Sequence, residues 1–286
     1  MTPFLSSTQS SEMSAGDVFA SFREFQGVIK GLSKKELMRR NWLESPEDYA
    51  SFAYAFFKLP FPEQPTLFRK SENADENLLS IWEARVRTEA EHSYMSDLPS
   101  EFKGLRREDV REIASLSVEP EVVRELPAVL RKFGIILIYV YALPGMKADG
   151  VAFHLPTGTP VIALSLRFPR LDYFWFTLLH ELAHIVLHND HLVAPVYFDV
   201  EAVEGTAKIE RSANRLAKES IVSRKSWRNC APRYDSSDEA VRSYAAEQGV
   251  HPSLVAGLLR KESGNFTRYC SIINKHDVRK MIYVHD

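Results

Sequence analysis

The stretch His180-Glu181-Leu182-Ala183-His184 combines residue types and spacing that could activate water. His180 and His184 are four apart, so on an α-helix they project from one face, one above the other. Two imidazoles placed in this way can hold one Zn²⁺ ion at about 2.0–2.1 Å each. Glu181 stands beside them, positioned to take a proton from water whose pKa a zinc ion lowers towards roughly 7. This is the H-E-x-x-H pattern of metal-dependent peptide hydrolysis. A five-residue pattern also arises in core helices whose histidines merely hydrogen-bond, and the surroundings separate the two readings. The preceding run Leu171-Asp172-Tyr173-Phe174-Trp175-Phe176-Thr177-Leu178-Leu179 is mostly apolar, so the helix should be buried nearly all round. Ionisable groups inside a buried helix need partners or a metal. Asp172 is the expected N-cap, and Asn189-Asp190 the expected exit.

A catalytic zinc site usually has three protein ligands and one open position. The longer three-histidine pattern needs a glycine two residues before its third histidine. Here His188 directly follows Val186-Leu187, so that pattern fails. A site of two histidines and one glutamate is the natural remaining option. Downstream, residues 209–217 read as a helix with Ala213, Leu216 and Ala217 on one apolar side. Its Glu210 is the candidate third ligand, with Glu201, Glu204 and Glu219 as rivals by spacing. Asn214, four residues on, shares the Glu210 face and could brace a ligand from behind. His188 shares the His184 face. Its expected role is that of a histidine favoured at a helix C-terminus, rather than a ligand.

The chain resembles the ImmA/IrrE metallo-endopeptidases, and among them the HigA-like branch. The resemblance is carried by Leu143–Gly150, Pro160–Arg167, Asp172–His188, the Glu210-x-x-Ala213-Asn214 motif and the segment around Gly249-Val250-His251-Pro252. It implies His180, His184 and Glu210 as zinc ligands and Glu181 as general base, which favours Glu210 over its rivals. It also implies a protein regulator as substrate, such as a helix-turn-helix repressor or an antitoxin. Many relatives in that branch carry an N-terminal DNA-binding helix-turn-helix. Here only about thirty residues precede the region resembling the family's middle. Any transcriptional role is therefore expected to run through a separate helix-turn-helix protein, or through a toxin partner.

Composition is that of an ordinary soluble globular chain of 286 residues. A net charge of −2 argues against strong sequence-independent attraction to nucleic acid, so direct DNA binding is not expected. No run of about 18 apolar residues predicts a membrane helix, and no basic-then-apolar N-terminus predicts a signal peptide. Cys230 and Cys270 have no zinc-type spacing and suit free thiols in a reducing cytoplasm.

Residues 1–16 are Ser/Thr-rich and read as disordered; 17–100 read as a helical N-terminal region. Residues 101–286 read as a predominantly helical, zincin-like α+β metallopeptidase domain with a small β-sheet and a C-terminal helical pair. Ser33-Lys34-Lys35-Glu36 is a candidate capping box, and Ser45-Pro46-Glu47-Asp48 a second helix start. Strands are expected near 134–140, 149–154 and 160–166. If the last were an edge strand beside the metal, a substrate could add to it as a further strand; otherwise it is interior. Ala245, Gly249 and Val255 match helix-turn-helix spacing, but the second helix offers only Arg260 and Lys261 as cations. Three functions are carried forward: a zinc endopeptidase, a non-cleaving regulatory or antitoxin-like binding module, and direct transcriptional regulation through residues 239–262.

Overall fold

A computed structural model of the protein describes residues 32–49, 67–70, 76–192 and 202–283. Contacts divide the chain into two units, Met1–Pro60 and Phe61–Asp286. In the first, α1 (Lys34–Arg39) starts after Ser33 as expected. The capping box does not form, because the Glu36 carboxylate accepts from Arg39 and Arg40 instead. At Ser45 the backbone N–H donates to Asp48 Oδ2 at 2.7 Å, opening a single 3₁₀ turn over Pro46–Asp48. The stretch 1–16, expected to be disordered, lies outside the described residues, as does the run 59–65, whose three prolines read as a linker.

The larger unit opens with β1 (Leu67–Lys70) and α2 (Glu76–Ser96). Leu79, Trp82, Val86 and Ala90, spaced three to four apart, form one apolar stripe along α2, and all four are buried. The Trp82 indole N–H donates to the Val140 carbonyl at 3.0 Å, which fixes the helix to the chain beyond the second strand. Next come α3 (Arg107–Ser115), two 3₁₀ turns and α4 (Leu126–Lys132). Gly134 ends α4 with φ +78°, and a Cβ there would sit 2.6 Å from Phe102 backbone atoms. Only glycine meets both demands.

Three strands follow, β2 (Ile136–Tyr139), β3 (Ala148–His154) and β4 (Pro160–Leu164). The four strands form one sheet in the order β1-β3-β4-β2. β4 runs parallel to β2 and antiparallel to β3, and β1 is antiparallel to β3. The alternative that 160–166 forms an edge strand is therefore overturned. β4 is paired on both sides and buried at all five positions, which suits its unbroken apolar run.

The long helix α5 (Leu171–His188) packs on this sheet, and every residue from Thr177 to Ile185 is buried. It begins two residues earlier than expected, with Arg170 rather than Asp172 at the N-cap. Asp172 lies inside the first turn, where its carboxylate favours the positive end of the helix. It accepts from Arg170 Nε at 3.0 Å and also from Arg170 Nη2. Beyond α5 lie α6 (Ala202–Ile221), α7 (Arg224–Arg228), α8 (Asp238–Gln248), α9 (Pro252–Ser263), α10 (Cys270–Ile273) and α11 (Val278–Ile282). The last of these holds the loop that leads into α5. Val278 N–H donates to Pro169 O at 2.8 Å, and Arg279 Nε donates to Leu166 O at 2.8 Å.

The C-terminal pair forms where its spacing predicts. Ser237 caps α8, Gly249 ends it in the left-handed region at φ +68°, and His251 caps α9. Leu254, Val255, Ala256, Leu258, Leu259 and Arg260 are all buried. A helix committed to the core on this scale has little surface left to enter a DNA groove. Among the described residues, no helix is long and apolar enough to cross a membrane. The unit is α+β with helices dominating.

Candidate metal centre

α5 and α6 pack closely along their length, and the centre lies between them. Ala183 meets Ala213 and Leu216 there, with small side chains that let the two helices approach. On α5 the four-residue spacing brings the Nε2 atoms of His180 and His184 within 3.0 Å of each other. From α6, Glu210 faces both. Its Oε2 is 3.3 Å from His180 Nε2 and its Oε1 is 3.3 Å from His184 Nε2. One ligand atom from each residue falls within 4.8 Å of the others. The histidines are buried, whereas the Glu210 side chain is 27% exposed, so the cluster opens to solvent on the α6 side.

This arrangement passes a chemical test for a metal. Two imidazole nitrogens converge on one carboxylate in a dry setting, a donor set that suits Zn²⁺. Burial alone would raise the Glu210 carboxyl. Its hydrogen bonds to His180 and His184 outweigh that, and hold it at about 2. The third ligand is thus ionised at neutral pH, as binding a cation requires.

Glu181 is fully buried on the same turn as His180. It owes its room to a residue with no chemistry of its own. Gly150 lies mid-strand in β3, and a Cβ built there would fall 2.9 Å from Glu181 Oε1 and 2.8 Å from Thr177 Cγ2. A glycine inside a strand weakens it, so its presence marks a close approach. Nothing in the sequence alone assigns this role to Gly150; the available signal was a lone glycine inside an expected strand.

The remaining candidates sort by geometry. His188 Nε2 lies 2.7 Å from Ser212 Oγ, which itself donates to Ile209 O. This contact ties the end of α5 to α6. Asn214 is half-buried one turn beyond Glu210 and makes no hydrogen bond to it among the described residues. Of the rival glutamates, Glu219 is nine residues along α6, about 13 Å away by helical rise. Glu201 lies outside the described residues, as does Tyr197, a candidate oxyanion donor. Arg167 is engaged 2.9 Å from Asp149 Oδ1. Buried His154 bonds Asn189 Oδ1 through Nε2 at 3.1 Å, and burial pushes its pKa down against the effect of that bond.

A helix-borne pair of histidines, a glutamate from the next helix and a glutamate beside the first histidine are the arrangement that a metallohydrolase centre would need. The comparison with known families agrees. Residues 136–256 match the family model described as an IrrE N-terminal-like domain, Peptidase_M78. This stretch, which runs from β2 into α9, is an ImmA/IrrE-family metallopeptidase domain. No curated protein and no solved structure matches the chain.

Proposed function

We propose that the chain is a zinc-dependent endopeptidase whose substrate is another protein. The observation that carries this reading is the convergence of His180, His184 and Glu210 within 4.8 Å, with Glu181 buried one residue from the first ligand. Zn²⁺ would be held by the two Nε2 atoms and a Glu210 oxygen, supplying a Lewis acid that polarises a carbonyl and acidifies water. The chain's own work is proton transfer and exclusion of solvent. A Glu181 carboxylate oxygen takes the proton from the attacking water and delivers it to the departing amide nitrogen. The apolar walls of α5 keep competing water out and strengthen each electrostatic contact.

The substrate class we favour is a protein regulator, a separate helix-turn-helix repressor or an antitoxin-like protein. It rests on the resemblance of the motif segments and on the burial of α9, which speaks against direct DNA reading by this chain. A cytoplasmic setting suits the free thiols of Cys230 and Cys270.

Metal content of protein purified without added zinc is the test. About one zinc per wild-type chain is expected, lost in His184→Ala and Glu210→Ala, with Glu181→Gln retaining metal but losing turnover by roughly 10²–10⁴-fold. A zinc-loaded wild type that binds a regulator without ever cutting it would instead favour the non-cleaving module.

A further inference from the structure

β3 passes close to Glu181, since a Cβ on its Gly150 would fall 2.9 Å from the Glu181 carboxylate. An extended peptide lying over the centre would pair with a strand edge, because main-chain hydrogen bonds hold the chain straight and place one amide at the reacting group. β4 cannot serve, being paired on both sides. One edge of β3 is likewise taken by β4. Its other edge is covered by β1, which pairs Leu67 with Ala152, Phe68 with Val151 and, past a register shift, Lys70 with Ala148, so β1 runs past Gly150. Neighbouring strands lie about 4.8 Å apart, so a backbone at the β1 position passes close to Glu181.

Two features set β1 apart from the rest of the sheet. Its register slips between Phe68 and Lys70, where the ladder is locally disrupted. It also lies outside the stretch that the family model matches, residues 136–256, which contains β2, β3 and β4.

We propose that the outer edge of β3 is the groove that receives the extended backbone of a protein substrate, and that residues Leu67–Lys70 occupy this groove in the resting chain. The inference rests on the peptidase reading and adds its regulation. Substrate and β1 compete for the same row of β3 N–H and C=O groups between Ala148 and Ala152. Apparent substrate affinity then falls in proportion to the fraction of molecules with β1 in place. A partner that draws residues 67–70 away would switch the centre on with no change at the metal.

The experiment uses the full zinc-loaded chain and a variant with Leu67→Gly, Phe68→Ser, Arg69→Gly and Lys70→Ser. The probe is a fluorescein-labelled synthetic peptide copying residues 65–72, and its binding is read by anisotropy in a Glu181→Gln background. Cleavage of labelled casein is measured in parallel with Glu181 intact. The variant should bind the peptide at least tenfold more tightly than the unaltered chain and cut casein at least tenfold faster. Saturating peptide should suppress that cleavage. Equal peptide binding by the two proteins, at equal zinc content and melting temperature, would overturn the proposal. A variant that loses its zinc or its cooperative melt would overturn it too, since β1 would then be an obligatory strand. Peptide capture by the variant without casein cleavage by either protein would support the groove and sink the peptidase reading.

Discussion

At the scale of single residues, the centre depends as much on what is missing as on what is present. Replacing Gly150 with Ala puts a methyl group inside contact distance of both Glu181 Oε1 and Thr177 Cγ2. Strand propensity favours alanine slightly, but overpacking a buried site costs about 1–3 kcal/mol and prevails. Because Gly150 touches none of the three candidate ligands, zinc content should stay near one per chain while kcat on casein falls at least tenfold. Loss of the metal in Gly150→Ala would show that the glycine supports the ligands and not the base. His188 offers the complementary case. Its Nε2 is spent on Ser212, so His188→Ala should keep its zinc where His184→Ala loses it, as atomic absorption would show.

At the scale of elements, α9 carries two testable devices. Gly257 lies mid-helix, where alanine would normally gain up to about 1 kcal/mol. A Cβ there would meet Asp172 Oδ2 at 2.7 Å and Asp172 Cβ at 2.9 Å, at the first turn of α5. The clash is with a side chain already locked to Arg170, so Gly257→Ala should destabilise, by about 1–3 kcal/mol in urea unfolding. An unchanged midpoint would mean that α9 and α5 can slide apart freely. The second device is His251, whose Nδ1 accepts the Ser253 N–H at 3.1 Å and so caps α9. Burial, helped by the charges of His276, Lys275 and Arg242, pushes its pKa down to about 4. The unfolded chain, near 6.5, binds the proton more readily, so this cap contributes fully above about pH 6.5 and is lost as pH falls through 4. His251→Asn caps without titrating. Its melting temperature should therefore fall less between pH 7 and pH 4.5 than that of the wild type.

At the scale of the whole molecule, the centre joins two separate helices across their packed faces, so metal and fold are linked. A ligand that binds only the folded state at a hundred times its Kd adds about 2.7 kcal/mol. Stripping zinc with a chelator should lower the melting temperature by several degrees, and zinc should restore it in the wild type but not in Glu210→Ala. A chain whose melt ignores both would place no structural metal between α5 and α6. The unit Met1–Pro60 is separate by its contacts, so a fragment of residues 61–286 is expected to bind zinc with unchanged stoichiometry.

Much of this was legible in the sequence because it is written locally. The four-residue spacing of His180 and His184, the stripe of α2, the glycines ending α4 and α8 and the order of helix, strands and motif helix all follow from short-range periodicity and turn chemistry. The Glu210 assignment needed the motif of the following helix, since spacing left Glu201, Glu204 and Glu219 open. Where sequence reasoning went astray, long-range packing decided. Asp172 looks like a cap, yet it lies within the first turn because Arg170 grips it and Gly257 packs against it. The run 160–164 allows an edge or an interior strand alike, and only pairing with both β2 and β3 settles it. The slot at Gly150 and the placing of β1 along β3 are contacts between segments far apart in the chain. A linear sequence specifies which residues can turn, cap and bury, whereas which of them touch is set by how the buried faces fit together.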